Sequence, residues 1–167
     1  MDKKSWLDHL YYDIGKQNFN LFVCGLWKDE QGNTKSTKWK RYSEAVFPID
    51  FDGTCDEYSK QKFFRQINQR QIFPNEILLD LEEPDRLNEV TKKLDSWNVK
   101  FEVYTAGKGF HIDIWFPKPL TEKQKLRIIK FFKCDEQKAS GKTMIALEFE
   151  EHWKSNKIKQ EIQWKTI

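Results

Sequence analysis

Ile77-Leu78-Leu79-Asp80-Leu81-Glu82 is an aliphatic run that takes up two carboxylates as it ends. A short continuous apolar run of this kind reads as a strand of a covered sheet. Strand side chains alternate between faces, so Asp80 and Glu82 share one face while Leu79 and Leu81 point the other way. The plain explanation of such a pair is a strand terminus where charges emerge into solvent. Yet buried-type sequence runs right up to Asp80, and an unpaired buried carboxylate is expensive. A divalent cation would relieve that penalty, and oxygen donors of this type suit magnesium or manganese.

Outward from this strand the pattern is regular. Pro84 stands where a first helical turn tolerates proline, and Leu87, Val90, Leu94 and Trp97 follow at helical spacing. Val99 to Thr105 is strand-like, and Phe110 to Phe116 alternates and stops at Pro117. Thr121 with Gln124 forms a capping box that opens a helix through Leu126, Ile129 and Phe132. Thr143 to Glu150 reads as another strand, and Lys157 to Trp164 has the pattern for one more. The order strand, helix, strand, strand, helix, strand is a split βαββαβ unit, the topology of ferredoxin-like and RNA-recognition (RRM-like) sheets. This makes the chain α+β, in two layers. In that topology the first and third strands are neighbours in the middle of the sheet. Ile112, Ile114 and Phe116 then face the helices. His111, Asp113 and Trp115 join Asp80 and Glu82 on the open face.

The first 75 residues are a separate, smaller α/β layer in this reading, packed on the open face of the module 76–167 so that the two form a cleft within one domain. Asn20 to Trp27 looks like a strand, Lys28 to Ser36 like a polar loop around Gly32-Asn33, and Thr54 with Glu57 like a capping box opening a helix through Tyr58, Phe64 and Ile67.

Thr105-Ala106-Gly107-Lys108-Gly109-Phe110-His111 is the second chemical element. As a hairpin turn it would use its glycines for positive φ. As a site it gathers a hydroxyl, an ammonium and an imidazole around backbone N–H groups that can face an anion, which suits a triphosphate. His152-Trp153-Lys154-Ser155-Asn156-Lys157 is either a solvated basic turn or a second phosphate clamp with His152 and Lys154 as donors. Lys35, Lys38, Trp39, Lys40, Arg41 and Tyr42 interleave cations with aromatics, which suits phosphate contact and base stacking along a single strand as well as it suits a solvated loop.

Composition sets the limits. A chain of 167 residues with 38% hydrophobic and 33% charged residues is polar but long enough for a core, and its 13 Phe, 7 Trp and 5 Tyr supply volume. The net charge of +3 does not by itself indicate a polyanionic partner. Cys24, Cys55 and Cys134 make no zinc spacing, and three histidines are few for a His-rich metal centre. With no secretory apolar region and no membrane-length stretch, reduced thiols in a cytoplasm are expected, with no membrane association.

Taken together the segments resemble the archaeo-eukaryotic primase superfamily of primase small subunits and primase-polymerases. Its first motif is an apolar strand ending in Asp-x-Asp or Asp-x-Glu, like Ile77 to Glu82. Its second is Ser-Gly-x-x-Gly-x-His; Thr105 to His111 is similar, with Thr105 in the serine place and Ala106 for the first glycine. Its third has an Asp and then a run ending in His-x-Lys-Thr-Gly, like Cys134-Asp135 and His152-Trp153-Lys154-Ser155-Asn156, where His152 follows Asp135 by 17 residues. The likeness covers roughly residues 76 to 165 and rests on motif order. Met144 to Glu148 replaces the arginine-rich run usual before the third-motif histidine, and the zinc module of many members is absent.

The resemblance implies two magnesium or manganese ions, and no zinc, between Asp80, Glu82 and Asp135. Glu148 competes with Asp135 as the third carboxylate. It implies triphosphate contacts from Thr105, His111 and His152, joined by Lys108 and Lys154. The expected activity is primer synthesis or extension on a single-stranded DNA template from NTPs or dNTPs, in a DNA-associated setting with other replication or mobile-element proteins. The rival readings are a non-catalytic RRM-like single-strand binder or inactive primase-like subunit, and a metal-dependent nuclease. Carboxylates where a binder would carry stacking aromatics weigh against the first, and the Lys108/His111 turn weighs against the second.

Overall fold

The computed structural model describes residues 2–15, 21–42 and 57–163. Thr54 of the expected capping box, Cys55 and Trp164 lie outside them. In chain order the strands are β1 (Phe22–Cys24), β2 (Leu26–Lys28), β3 (Thr34–Ser36), β4 (Lys40–Arg41), β5 (Gln69–Gln71), β6 (Glu76–Leu81), β7 (Lys100–Thr105), β8 (Phe110–Trp115), β9 (Met144–Ala146) and β10 (Glu161–Ile162). The α-helices are α1 (Lys3–His9), α2 (Glu57–Gln66), α3 (Leu87–Ser96) and α4 (Glu122–Phe131). The protein is mixed α+β, and every strand pairing among the described residues is antiparallel.

The chain divides into two compact units, Met1–Gln71 with Met144–Ile158, and Ile72–Thr143 with Lys159–Ile167. The first crossing falls within a few residues of the boundary expected near position 75. The stretch 144–158, expected in the catalytic module, belongs to the first unit.

The second unit has the sheet order β10-β7-β8-β6. The first and third strands of the expected βαββαβ pattern, β6 and β8, are indeed neighbours. The fourth strand is not where that pattern puts it. Only Met144–Ala146 of Thr143–Glu150 is a strand, and it pairs with β5 in the sheet β4-β1-β5-β9 of the first unit. The outer place is taken at the other side of the sheet, where Glu161 and Ile162 pair with Tyr104 and Val103. Among the described residues β6 is therefore an edge strand, with β7 and β8 central.

The core of this unit follows from alternation. Ile77, Leu79 and Leu81 on β6, Val103 on β7, and Ile112 and Ile114 on β8 join Leu87, Val90 and Leu94 of α3 and Ile129 of α4 in one apolar cluster. Helix α4 starts where expected: Thr121 Oγ1 accepts from the Gln124 N–H at 3.1 Å while Gln124 Oε1 accepts from the Thr121 N–H at 2.9 Å. A cap of this kind stabilises a helix by about 1 kcal/mol. Pro84 begins a 3-10 turn, Pro84–Arg86, rather than the α-helix itself.

In the first unit the single strand expected over Asn20 to Trp27 is split at Gly25. A Cβ there would lie 2.2 Å from the Gln66 carbonyl oxygen, so the backbones of residues 25 and 66 approach too closely for any side chain. Beyond Gly25 the chain leaves the sheet and forms the hairpin β2–β3, whose second strand occupies the end of the expected polar loop. Arg70 and Glu148 form a fully buried ion pair, Nη2 to Oε1 at 2.7 Å, and Trp6 Nε1 donates to Glu148 Oε2 at 3.0 Å. No helix among the described residues is long and apolar enough to cross a membrane.

Candidate active site

Asp80 and His111, expected on one face of neighbouring strands, are directly paired residues on β6 and β8. Both project from the face opposite the apolar cluster, and His111 Nε2 lies 3.6 Å from Asp80 Oδ1. Their side chains are 21% and 12% exposed, so the pair is accessible yet largely shielded. Burial raises the Asp80 carboxyl above its ordinary value of 3.8. Lys138 and Lys159 oppose that rise, and Glu82 and Asp135 add to it. Asp80 thus senses both other carboxylates of the expected trio.

Glu82 is exposed just past the end of β6. Asp135 precedes the 3-10 turn Glu136–Ala139 and caps it, its Oδ1 accepting from the Gln137 N–H at 3.0 Å. That turn is anchored by Ala139, which is buried in the apolar cluster. Among the described residues no three His, Cys, Asp or Glu side chains are drawn together as a finished metal cage. The donor types still suit a hard divalent cation: Glu82 and Asp135 both raise the Asp80 carboxyl, whose charged form burial already penalises.

The other end of the face is partly open too, with Lys100 exposed and Glu102 and Trp115 half-buried. Glu76, Leu78, Asp113 and Tyr104, which share it by alternation, are all buried. Lys159 is buried too, 4% exposed, with Nζ 5.4 Å from the centre of the Tyr104 ring. Neither Lys138 nor Lys159 was singled out from the sequence. In the alternating run Lys157 to Ile162 a lysine reads as solvated, and only the return of the chain alongside β7 buries it.

The glycine turn joins the antiparallel pair β7 and β8 as a hairpin, but not through positive φ. Neither Gly107 nor Gly109 has positive φ. Gly109 is required by close approach, since a Cβ there would lie 1.9 Å from the Leu81 carbonyl oxygen, whereas at Gly107 it would meet open space. The turn is closed by the Ala106 N–H donating to the Gly109 carbonyl at 3.0 Å, and Lys108 is exposed at its tip.

Thr105 departs from expectation. Alternation along β7 puts it with Phe101 and Val103 on the helix side, opposite His111. Its Oγ1 accepts from the Gln160 N–H at 2.9 Å, and its own N–H donates to the Gln160 carbonyl at 2.8 Å. Its contacts tie the last strand to the sheet.

The remaining expected residues lie in the first unit. His152 Nδ1 accepts from the backbone N–H groups of Lys154 at 3.1 Å and Ser155 at 3.3 Å, an arrangement that puts the proton of the neutral ring on Nε2. Lys154 Nζ lies 5.0 Å from the Trp153 ring centre, and that ring stacks on His152. Glu148, the competing third carboxylate, is held by Arg70 and Trp6 at 0% exposure. Of the expected nucleic-acid group, Lys35, Lys38 and Trp39 are exposed, while Lys40 Nζ sits 4.6 Å from the Phe63 ring centre and Arg41 6.0 Å from that of Phe22.

No family model matches this chain, and no curated protein is significantly similar to it.

Proposed function

We propose that this chain is a primase–polymerase type nucleotidyltransferase, extending or starting a strand on a single-stranded DNA template from NTPs or dNTPs. The observation that carries the reading is the cross-strand pair Asp80–His111, shielded but reachable, with the charges of Glu82 and Asp135 acting on Asp80. The proposed sheet is a variant of the split βαβ arrangement, in which β10 beside β7 replaces the usual fourth strand beside the first.

Asp80, Glu82 and Asp135 would hold magnesium or manganese, with Glu148 left to its structural partners. Such ions, when bound, lower the pKa of an attacking hydroxyl and neutralise a leaving pyrophosphate. The chain's own groups do the positioning. His111 donates from its ring to a phosphate oxygen beside Asp80. Lys108 brings an exposed ammonium from the turn, whose backbone is fixed by the approach of Gly109 to Leu81. His152 and Lys154, expected as further donors, belong to the first unit and form no part of the set proposed for the second. Thr105 is dropped from that set, because it lies on the other face. Orientation of the reacting groups and stabilisation of developing charge supply most of the rate enhancement in reactions of this class.

The test is incubation with a single-stranded template, manganese and labelled nucleotides, with and without a primer. Wild-type protein is expected to incorporate nucleotide and Asp80→Ala to abolish incorporation while keeping the circular dichroism spectrum. Incorporation retained by Asp80→Ala refutes the assignment. Shortening of a labelled strand without added nucleotide supports the nuclease reading instead.

A further inference from the structure

The β2–β3 hairpin carries a tryptophan that the catalytic reading leaves unused. Trp27 is 36% exposed and stands directly across from Lys35, so the two share one face of a two-stranded ribbon. Lys28 is exposed on the other face, Lys38 follows the second strand, and Trp39 is 44% exposed. Both strands of the ribbon are exposed for nearly their whole length, and neither pairs with a third strand among the described residues.

An isolated two-stranded ribbon is at best marginally stable, yet this one is pinned at both ends. At its root Asn68 clamps the Leu26 backbone, Oδ1 accepting from the Leu26 N–H at 2.8 Å and Nδ2 donating to the Leu26 carbonyl at 2.7 Å. Gly25 donates to Thr37 Oγ1 at 2.8 Å and accepts from the Thr37 N–H at 2.9 Å. At its tip Asp29 Oδ1 accepts from the N–H groups of Gln31 and Asn33 at 3.0 and 2.8 Å, and Gly32 takes the positive φ of the turn. The backbone is therefore held rigid while an aromatic and three ammonium groups are left facing solvent. By contrast Lys40 and Arg41 rest on rings of their own unit.

We propose that this hairpin is the surface that grips the single-stranded template, with Trp27 stacking on a base and Lys35, Lys28 and Lys38 meeting the flanking phosphates. This rests on the nucleotidyltransferase reading only for the identity of the strand. Aromatic faces interleaved with cations are the general chemistry of sequence-tolerant single-strand binding. A rigid ribbon presents them with little ordering entropy left to lose.

The test is fluorescence anisotropy of a labelled oligo-dT and an oligo-U, in chelator and without nucleotides, across a range of salt. Binding here needs no catalysis, so a failure of the catalytic reading and a failure of this one are separable. Trp27→Ala is expected to weaken binding by about 5- to 100-fold, the range typical of one lost stacking contact. Lys35→Ala and Lys38→Ala are each expected to lower the slope of log affinity against log salt by about 0.7. Trp97→Ala, which removes an exposed aromatic in the other unit, serves as the control and should leave affinity unchanged. Unaltered melting temperatures show that the hairpin variants fold. Wild-type affinity in Trp27→Ala, an equal loss in Trp97→Ala, or no binding of either oligomer by the wild type overturns the proposal. Strand binding lost in Trp27→Ala, in a protein that incorporates no nucleotide, supports the hairpin while sinking the polymerase.

Discussion

Asp80 is held in the fold in a way that favours its neutral form, and this has a measurable consequence. Its carboxyl is raised from 3.8 by burial, with Lys138 and Lys159 opposing and Glu82 and Asp135 adding. The folded state thus binds the proton more tightly than the unfolded one. Stability from this group is lost as pH rises from 3.8 through the raised value, and the penalty persists above it. The 3.6 Å contact to His111 is too long to be a hydrogen bond that offsets it. Asp80→Asn is expected to melt at a higher temperature than wild type at pH 7, with the difference vanishing below pH 3.8, while incorporation is abolished. A lower melting temperature at pH 7 would show that the charge is already compensated. The glycines next door separate in the same quantitative way. Gly109→Ala forces a Cβ against the Leu81 carbonyl and is expected to destabilise by about 1–3 kcal/mol in denaturant titration. Gly107→Ala meets open space and should be neutral or stabilising by up to about 1 kcal/mol.

At the level of elements, what could be read from the sequence is what alternation and capping specify locally. The Ile77 to Leu81 strand, the shared face of Asp80 and His111, and the α4 start at Thr121 all follow from side-chain period and cap chemistry. The destination of Thr143 to Glu150 does not, because an apolar three-residue strand fits the edge of either sheet, and pairing with β5 is a long-range choice. The same limit explains Thr105, whose face is set by a register known only once β7 is bounded, and Lys159, buried by a returning strand. Glu148 shows what the different strand pairing changes: its carboxylate meets Arg70 and Trp6. Glu148→Gln removes the carboxylate charge that faces Arg70 at 0% exposure and is expected to destabilise by about 3–5 kcal/mol, roughly 10 °C in melting temperature for a chain of this size. If Glu148→Gln instead melts like wild type and loses incorporation, Glu148 is a catalytic carboxylate and not a structural one.

For the whole molecule, connectivity decides which parts can stand alone. The sequence suggests cutting near residue 75 and keeping 76–167 as a catalytic module. The chain is not divided that way, because 144–158 return to the first unit and only 159 onward rejoin the second. A fragment 76–167 would carry β9 without β5, its only strand partner among the described residues, and would expose Ile145 and Leu147, which are 2% and 1% exposed in the full chain. It would also carry Glu148 without Arg70 and Trp6. At the other cut it would lose Phe73, whose carbonyl accepts from the buried Lys125 Nζ at 2.8 Å and whose N–H donates to Glu76 Oε1 at 3.0 Å. Burial already lowers the Lys125 pKa, so stranding that ammonium without its acceptor adds to an existing penalty. The fragment is therefore expected to aggregate or to lack a cooperative melt, although it holds Asp80, Glu82, Lys108, His111 and Asp135. A fragment 72–167 in which Ile145 and Leu147 are made polar and Glu148 is changed to Gln should recover a cooperative transition, because it restores the Phe73 contacts and removes the stranded surface. A cooperative melt and dispersed amide spectrum from unmodified 76–167 would show instead that the stretch 144–158 is dispensable to the sheet that carries Asp80.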